Sequence, residues 1–226
     1  MNPAYPKNLE QKARPFAEAI PSNPLSLKLR KQQVVRDALS KSAEELFLLR
    51  GFEAVTVEEI ALAAGVSRRT FFRYFDSKEE VMVERSDRFG EQLLVELASR
   101  PLDEPPLLAI RNALIPAVES SLVERDLVRQ IIGLLRKTSV LRRALMEHRN
   151  RLEERIAALM AQRLGSESSD NTPMLLAFVT RALHDTVINA WYDHETDDIA
   201  GLVDALVSQL RAIVVDMPAE FTKARL

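Results

Sequence analysis

The stretch TVEEIALAAGVSRRTFFRYFDSK, residues 56–78, contains the start signals of three successive helices. Thr56 and Glu59 have the spacing of a capping box, in which the two side chains satisfy backbone N–H groups at a helix start. Ser67 is suited to cap the next helix. Ser77 and Glu80 repeat the capping-box spacing at the start of the helix after it. The stretch therefore predicts two short helices followed by the start of a longer one.

A glycine separates the two short helices. Gly65 permits a left-handed turn, and Ala61 is small enough to let the second helix cross the first closely. Apolar residues around the turn supply contacts between the helices, namely Ile60, Ala64, Val66 and Phe71. This pattern predicts a helix-turn-helix, whose second helix lies in the major groove of DNA.

Basic residues surround the predicted second helix, although the whole chain is slightly acidic. The chain has 31 basic and 33 acidic residues and a formal net charge of −2, so binding to an anionic polymer depends on local charge. Two segments, 28–36 and 65–78, are each predominantly basic. They predict contacts with phosphates, and ordinary solvated charge is the alternative.

The rest of the chain has helical periodicity. Apolar residues recur at three- and four-residue steps from Lys28 to Gly51, which is suited to end a helix. Alternating β-branched residues over a strand length are absent, so the predicted fold is all-α. Six further helices are expected, at 78–99, 106–121, 125–136, 140–164, 173–192 and 199–215. Capping is expected from Asp103, from Asn171 with Thr172, and from Asp197 with Asp198.

The chain divides into three predicted regions. Prolines concentrate in the first 24 residues, which indicates a flexible arm over residues 1–26. Residues 27–78 are the predicted helix-turn-helix DNA-binding domain. Residues 79–226 are the predicted larger helical domain, which binds a ligand and dimerises.

Several classes of protein are excluded by composition and motif. There is no cysteine, so a disulfide framework and thiolate zinc sites are absent. No apolar run approaches the roughly 20 residues that a bilayer requires. There is no phosphate-binding glycine loop, nucleophile elbow or His pair at metal spacing. A cytoplasmic protein is expected, with no enzymatic activity, no cofactor, no metal and no membrane partner.

Four segments resemble the DNA-binding domain of the TetR family of one-component bacterial regulators. They are TVEEIA at 56–61, AGVS at 64–67, TFFRYF at 70–75 and SKEE at 77–80. The resemblance implies contacts with the operator backbone at positions that correspond to Thr56, Thr70, Phe72, Tyr74 and Lys78, with the cap Ser67 beside them. It implies base reading by Arg68 and Arg69, with Arg73 as a further candidate. Arginine can fork onto guanine O6 and N7.

One position departs from the family pattern. Phe72 stands where the family usually has tyrosine, and it cannot donate a hydroxyl hydrogen bond to a phosphate. It is expected to pack against a thymine methyl group or a sugar, and core packing is the alternative.

The last two predicted helices are apolar over more than one stripe, and such helices require cover on two sides. The resemblance implies that they pair with their symmetry mates in a four-helix bundle, which gives a two-fold dimer on a palindromic operator. The predicted interface residues are Leu176, Leu183, Val187, Trp191, Leu202, Leu206, Leu210 and Ile213.

The resemblance also places an effector pocket among the central helices. Its expected lining, with simple core packing as the alternative, is Phe89, Leu93, Leu114, Leu134, Leu145 and His148. An anionic head group could meet Arg136, Arg142, Arg143 and His148, whose alternative is solvated surface. The expected function is a ligand-responsive regulator, a repressor released from DNA by a small, largely apolar effector. The alternative is a helical binding protein or enzyme that acts on a hydrophobic ligand without binding DNA.

Overall fold

The computed structural model describes residues 24–167, 169–194 and 196–215, and this part of the chain is all-α, as predicted. Its helices are α1 (Pro24–Arg50), α2 (Val57–Ala63), α3 (Arg68–Phe71), α4 (Lys78–Ser99), α5 (Pro106–Ser121), α6 (Arg125–Lys137), α7 (Ser139–Leu164), α8 (Thr172–His194) and α9 (Ile199–Val215). The ends of α4, α5 and α9 coincide with the predicted ones, and those of α6, α7 and α8 differ by one or two residues.

The start of α1 corrects the predicted arm. The helix begins at Pro24, so the last three residues of the expected arm 1–26 are helical, and residues 1–23 lie outside the described residues. A proline fits a first helical turn because the N–H that it lacks would have no partner there. The chain divides into two units, residues 1–37 and 38–226. In the first unit, Gln33 Nε2 donates a hydrogen bond to Asp37 Oδ1 at 3.0 Å.

Local hydrogen bonds fix the starts of α2 and α3. Glu59 N donates to Thr56 Oγ1 at 3.3 Å and Thr56 N donates to Glu59 Oε2 at 2.9 Å, which completes the predicted capping box. Arg50, at the end of α1, donates to Glu59 Oε1 at 2.7 Å. Ser67 Oγ accepts a bond from Thr70 N at 3.1 Å and so caps α3. The first two capping predictions are therefore confirmed.

The other predicted caps have mixed outcomes. Ser77 Oγ accepts from Glu80 N at 3.2 Å, but the Glu80 carboxylate accepts from Asp76 N, so only half of the second capping box forms. Asp103 does not cap α5, because Pro105 occupies the N-cap position and makes no side-chain bond. At α9, Asp198 Oδ1 accepts from Gly201 N at 2.8 Å, which confirms that cap.

The larger helical part has one apolar core. α4 packs against α5 and α7, α7 packs against α8, and α9 packs against α5 and α8. Trp191 and Val187 are fully buried in this core and Leu183 is 6% exposed. These three side chains are therefore covered by residues of their own chain. Their predicted place in a dimer interface is wrong.

Among the described residues, no single helix is long and apolar enough to cross a membrane. α5 and α6 reach the required length and hydropathy only as a pair, and their axes are bent by 98°.

We expect Gly65→Ala to lower the free energy of unfolding by about 1–2 kcal/mol, because Gly65 has φ of +69° and side chains are strained in that region. No heavy atom lies within 4 Å of a Cβ built there, so backbone strain alone is responsible. Urea unfolding measures the loss. Gly65→Asn is the control and should lose less, because asparagine tolerates the left-handed region; equal stability of both variants and the native chain would contradict the assignment.

We expect acid to weaken the junction of α1 and α2 through Glu59. The backbone N–H of Thr56, followed by the Arg50 side chain, lowers the pKa of Glu59 from 4.5 to about 2. Its ionised form therefore stabilises the fold fully above pH 4.5, and this contribution is lost as the pH falls toward 2. Glu59→Gln should reduce the fall in unfolding free energy across that range, as measured by urea unfolding. The native chain over the same pH range is the reference, and an equal fall in both proteins would contradict this role of Glu59.

Candidate nucleic-acid interface and internal cavity

The side of α3 that faces inward is fixed by two aromatic rings. Phe71 and Phe75 are 0% and 1% exposed, and their ring centroids lie 5.8 Å apart. In a helix of four residues, burial of Phe71 directs the neighbouring positions outward. Arg68, Arg69 and Arg73 are all exposed.

The three exposed arginines differ in what they contact. Arg68 Nε lies 2.7 Å from Glu58 Oε1 of α2, and its guanidinium is 5.3 Å from the centroid of the Phe72 ring. Arg73 donates to Tyr74 Oη at 3.3 Å and lies over the Tyr74 ring. Arg69 makes no hydrogen bond, ion pair or ring contact with any residue of the described segments. All of its guanidinium donors are therefore available to a partner molecule.

Phe72 lies at the edge of the aromatic cluster. It is 43% exposed, and its ring meets Phe71 edge-on at 5.4 Å and 81°. The side chain is therefore not part of the core, and an apolar ring is presented beside the arginines.

Lys78 has a structural role that the sequence did not reveal. Its Nζ donates to the carbonyl oxygens of Phe52 and Val55, each at 2.9 Å, and lies 4.3 Å from the centroid of the Phe52 ring. These contacts join the start of α4 to the loop between α1 and α2. Only the third ammonium proton is left for a phosphate.

A cavity of about 140 Å³ lies among α4, α6, α7 and α8. Four of the predicted lining residues, Phe89, Leu93, Leu145 and His148, lie in its wall. Two predictions are wrong on this point. Leu114 is fully buried in the core of α5, and Leu134 lines a separate open crevice with Phe47 and Tyr192.

Charged residues in the cavity wall were missed by the sequence analysis. They are Arg85, Arg149, Glu153 and Arg181. Helical periodicity marks the apolar stripe and assigns charged residues to solvent, so it does not detect them. The position of Glu153 could have been inferred from the sequence. It lies three residues before Ile156, and residues three apart share one face of a helix.

The arginines of the wall are each paired with a carboxylate. Arg149 Nη2 lies 2.8 Å from Asp185 Oδ1, and Arg181 Nε lies 2.7 Å from Glu153 Oε1. Burial raises the pKa of Asp185, but the hydrogen bond from His184 and the charge of Arg149 outweigh it, so that the pKa of Asp185 is lowered. Asp185 therefore stays ionised and holds Arg149.

Arg85 links the cavity to the helix-turn-helix. It lies in the cavity wall and donates through Nε and Nη2 to Glu44 of α1, at 3.3 and 3.2 Å. The same guanidinium lies 3.5 Å from Glu124, directly before α6. A single side chain thus connects α1, α4 and the start of α6.

The basic residues expected to meet an anionic head group lie elsewhere. Arg136 binds Asp193 and Asn189 at 3.0 and 2.7 Å, and Arg142 donates to the carbonyl oxygen of Arg136. Neither residue lines the cavity, and nor does Arg143, which is exposed. Of that set only His148 is in the wall.

The exposed apolar side chains of α8 and α9 form a candidate contact surface. Leu175, Phe178 and Ile213 are 60%, 44% and 68% exposed. The predicted interface residues Leu176, Leu202, Leu206 and Leu210 are half-buried. Leu175 and Phe178 were not among the predicted interface residues, because α8 is apolar on several sides and its pattern does not show which side is exposed.

Comparison with known proteins agrees with this architecture. Residues 39–84 match the family model described as bacterial regulatory proteins, tetR family, and residues 104–214 match the MftR C-terminal domain. The transcriptional regulator TcmR of Streptomyces glaucescens is 32% identical over 216 residues, which cover 92% of this chain and 95% of TcmR. The mycofactocin biosynthesis regulator MftR of Mycobacterium tuberculosis is 28% identical over 78% of this chain and 88% of its own length.

A solved structure shows the same fold. NalD, the secondary repressor of the MexAB-OprM multidrug efflux pump in Pseudomonas aeruginosa, superimposes with a TM-score of 0.55 and 26% identity over 79% of this chain and 96% of NalD. The N-terminal match, the near full-length identity to TcmR and this fold agree in one assignment. The chain belongs to the TetR family of bacterial transcriptional regulators.

Proposed function

We propose that this regulator is a repressor that binds a palindromic operator as a homodimer and is released by a small, largely apolar effector. The observation that carries the proposal is the outward presentation of Arg68, Arg69 and Arg73 by a helix that the buried Phe71 holds in place. The similarity to NalD, which is named a repressor, favours repression over activation.

The side chains of the helix-turn-helix divide into two roles. Arg69 reads a guanine, because its donors make no bond to any described residue, and Arg68 and Arg73 assist after releasing Glu58 and Tyr74. Phosphate or sugar contacts fall to the remaining exposed or half-buried residues, which are Thr56, Ser67, Thr70, Phe72, Tyr74 and Lys78. Such contacts position the protein without reading sequence.

A second copy of the chain covers the exposed apolar face of α8 and α9. Large apolar side chains exposed on two helices that pack against each other favour an interface at this place. A two-fold dimer presents two α3 helices, and they read half-sites about one helical turn of DNA apart.

The effector binds in the cavity and acts through α4. A cavity of about 140 Å³ is close to the roughly 150 Å³ that accommodates benzene, so a larger effector must widen it. Widening displaces Arg85 and weakens its bond to Glu44. A differential affinity of about 1–3 kcal/mol between two dimer states changes operator affinity about 5- to 150-fold.

Selection of duplexes from a random pool tests the proposal. The full chain should retain a family of related sequences with two-fold symmetry, and the duplex upstream of its own gene should compete with them. Retention of no duplex above background would contradict DNA binding. Enrichment of a sequence without two-fold symmetry would contradict binding as a dimer.

We expect Arg69→Ala to relax specificity. Loss of a bidentate contact with guanine should reduce discrimination at one base pair of each half-site by about 1–3 kcal/mol, as measured by affinities for a panel of substituted duplexes. Tyr74→Phe is the matched comparison, because loss of a backbone contact should weaken all duplexes by a similar factor. Identical profiles for the two variants would overturn the division of roles.

We expect Phe178→Glu to produce monomers. A carboxylate at this position would have to lose its water on both copies when the apolar faces meet, and light scattering should show the mass of a single chain. Operator affinity should fall with it. Val95→Glu is the control, because Val95 is 63% exposed but lies on α4 outside the proposed surface. A Phe178→Glu variant that remains dimeric would refute this interface.

A further inference from the structure

We propose that the cavity selects a neutral ligand that carries a hydrogen-bond donor, such as a hydroxyl group, on an apolar ring, and that it rejects carboxylates and phosphates. The inference rests on the proposed function only in treating this ligand as the effector. Its basis is the hydrogen-bonding state of the polar side chains in the cavity wall.

His148 provides an acceptor. The residue lines the cavity, is 6% exposed, and neither ring nitrogen makes a hydrogen bond with any described residue. Nδ1 lies 2.7 Å from Asp87 Oδ1, at an angle unsuited to a hydrogen bond. In a neutral imidazole with its proton on Nδ1, toward Asp87, Nε2 has a lone pair that can accept a hydrogen bond. Buried polar atoms are normally bonded, so a ligand donor gains more here than it would in water.

Glu153 provides a second acceptor and a negative charge. It is 7% exposed and lies in the same wall, on the same helix as His148. Arg181 Nε lies 2.7 Å from Oε1 and balances the charge, but this oxygen makes no hydrogen bond with any residue that the structure describes. An anionic ligand would be repelled by this carboxylate, whereas a hydroxyl group could donate to it.

The cations of the wall do not offset this preference. Arg85, Arg149 and Arg181 are bound to Glu44, Asp185 and Glu153. An anionic ligand would have to displace one of these carboxylates, and each is held by a guanidinium. Thr180, also in the wall, donates its hydroxyl proton to the carbonyl oxygen of Leu176 at 2.8 Å and has none to give.

The remaining wall fits a flat apolar body. Phe89 and His184 stack with ring centroids 4.1 Å apart and an interplanar angle of 27°, and aliphatic side chains complete the lining. The volume of about 140 Å³ suits one aromatic ring. Phenol, toluene and benzoate therefore form a matched set of probes, with a hydroxyl, a methyl and a carboxylate group on the same ring.

The decisive experiment titrates the native full-length chain with each probe at neutral pH and follows imidazole ¹⁵N resonances by NMR. Phenol should bind about tenfold more tightly than toluene and should shift the Nε2 resonance of His148, while benzoate should bind at least tenfold more weakly than phenol. Equal affinities for phenol and toluene, or tightest binding of benzoate, would overturn the proposal without the use of any variant.

Two variants locate the preference. His148→Leu should bring the phenol-to-toluene ratio close to one while toluene still binds. Thr180→Val is the matched control, because its hydroxyl is already engaged within α8, and the ratio should stay near ten. A ratio unchanged in His148→Leu would show that the acceptor is not His148. If His148→Leu fails to melt cooperatively, Glu153→Gln replaces it and should improve benzoate binding relative to phenol; an unchanged ratio would count against the charge argument.

Failure of this inference and failure of the proposed function are distinguishable. Enrichment of duplexes from the random pool together with tightest binding of benzoate would refute the inference alone. A clear preference for phenol in a chain that retains no duplex would refute the proposed function and leave the inference intact.

Discussion

The burial of Phe71 is the constraint on which the candidate DNA-binding surface depends. α3 has only four residues, so its orientation comes from one buried ring and from the Ser67 cap at its start. A shift of one residue would bring Thr70 or Phe72 inward and would leave the Ser67 bond unformed. The positions of Arg68 and Arg69 therefore follow from packing and capping within the chain, before any DNA is present.

Features that depend on a few neighbouring residues could be predicted from the sequence. The Thr56 box and the Ser67 cap join residues three apart, and Gly51 ends α1 with φ of +82° as a left-handed cap requires. Local competition explains the failures. The Glu80 carboxylate bonds Asp76 N, and Pro105 occupies the position from which Asp103 was expected to act. In both cases a residue next to the expected cap, or two positions from it, took part instead. The capping motif does not include that residue.

The sequence could not assign apolar residues to their partners. Trp191 and Phe178 lie on the same apolar helix, but one is fully buried in its own chain and the other is 44% exposed. Periodicity gives the stripe on a helix, not the identity of the element that covers it. The same limit applies to polar residues of the cavity. Leu114 was expected in the wall and Glu153 was not, because only three-dimensional packing shows that α5 turns Leu114 into the core.

α4 connects the helix-turn-helix to the cavity, because this one continuous helix contacts both. Lys78 binds two carbonyl groups of the α1–α2 loop at its first turn, and Arg85 binds Glu44 about two turns later. Phe89 then faces the cavity after one further turn. Two attachments fix the start of the helix to the DNA-binding part, so one continuous helix joins that part to the cavity wall at Phe89. A small cavity suits this arrangement, because a ligand larger than the available space must move its wall in order to bind.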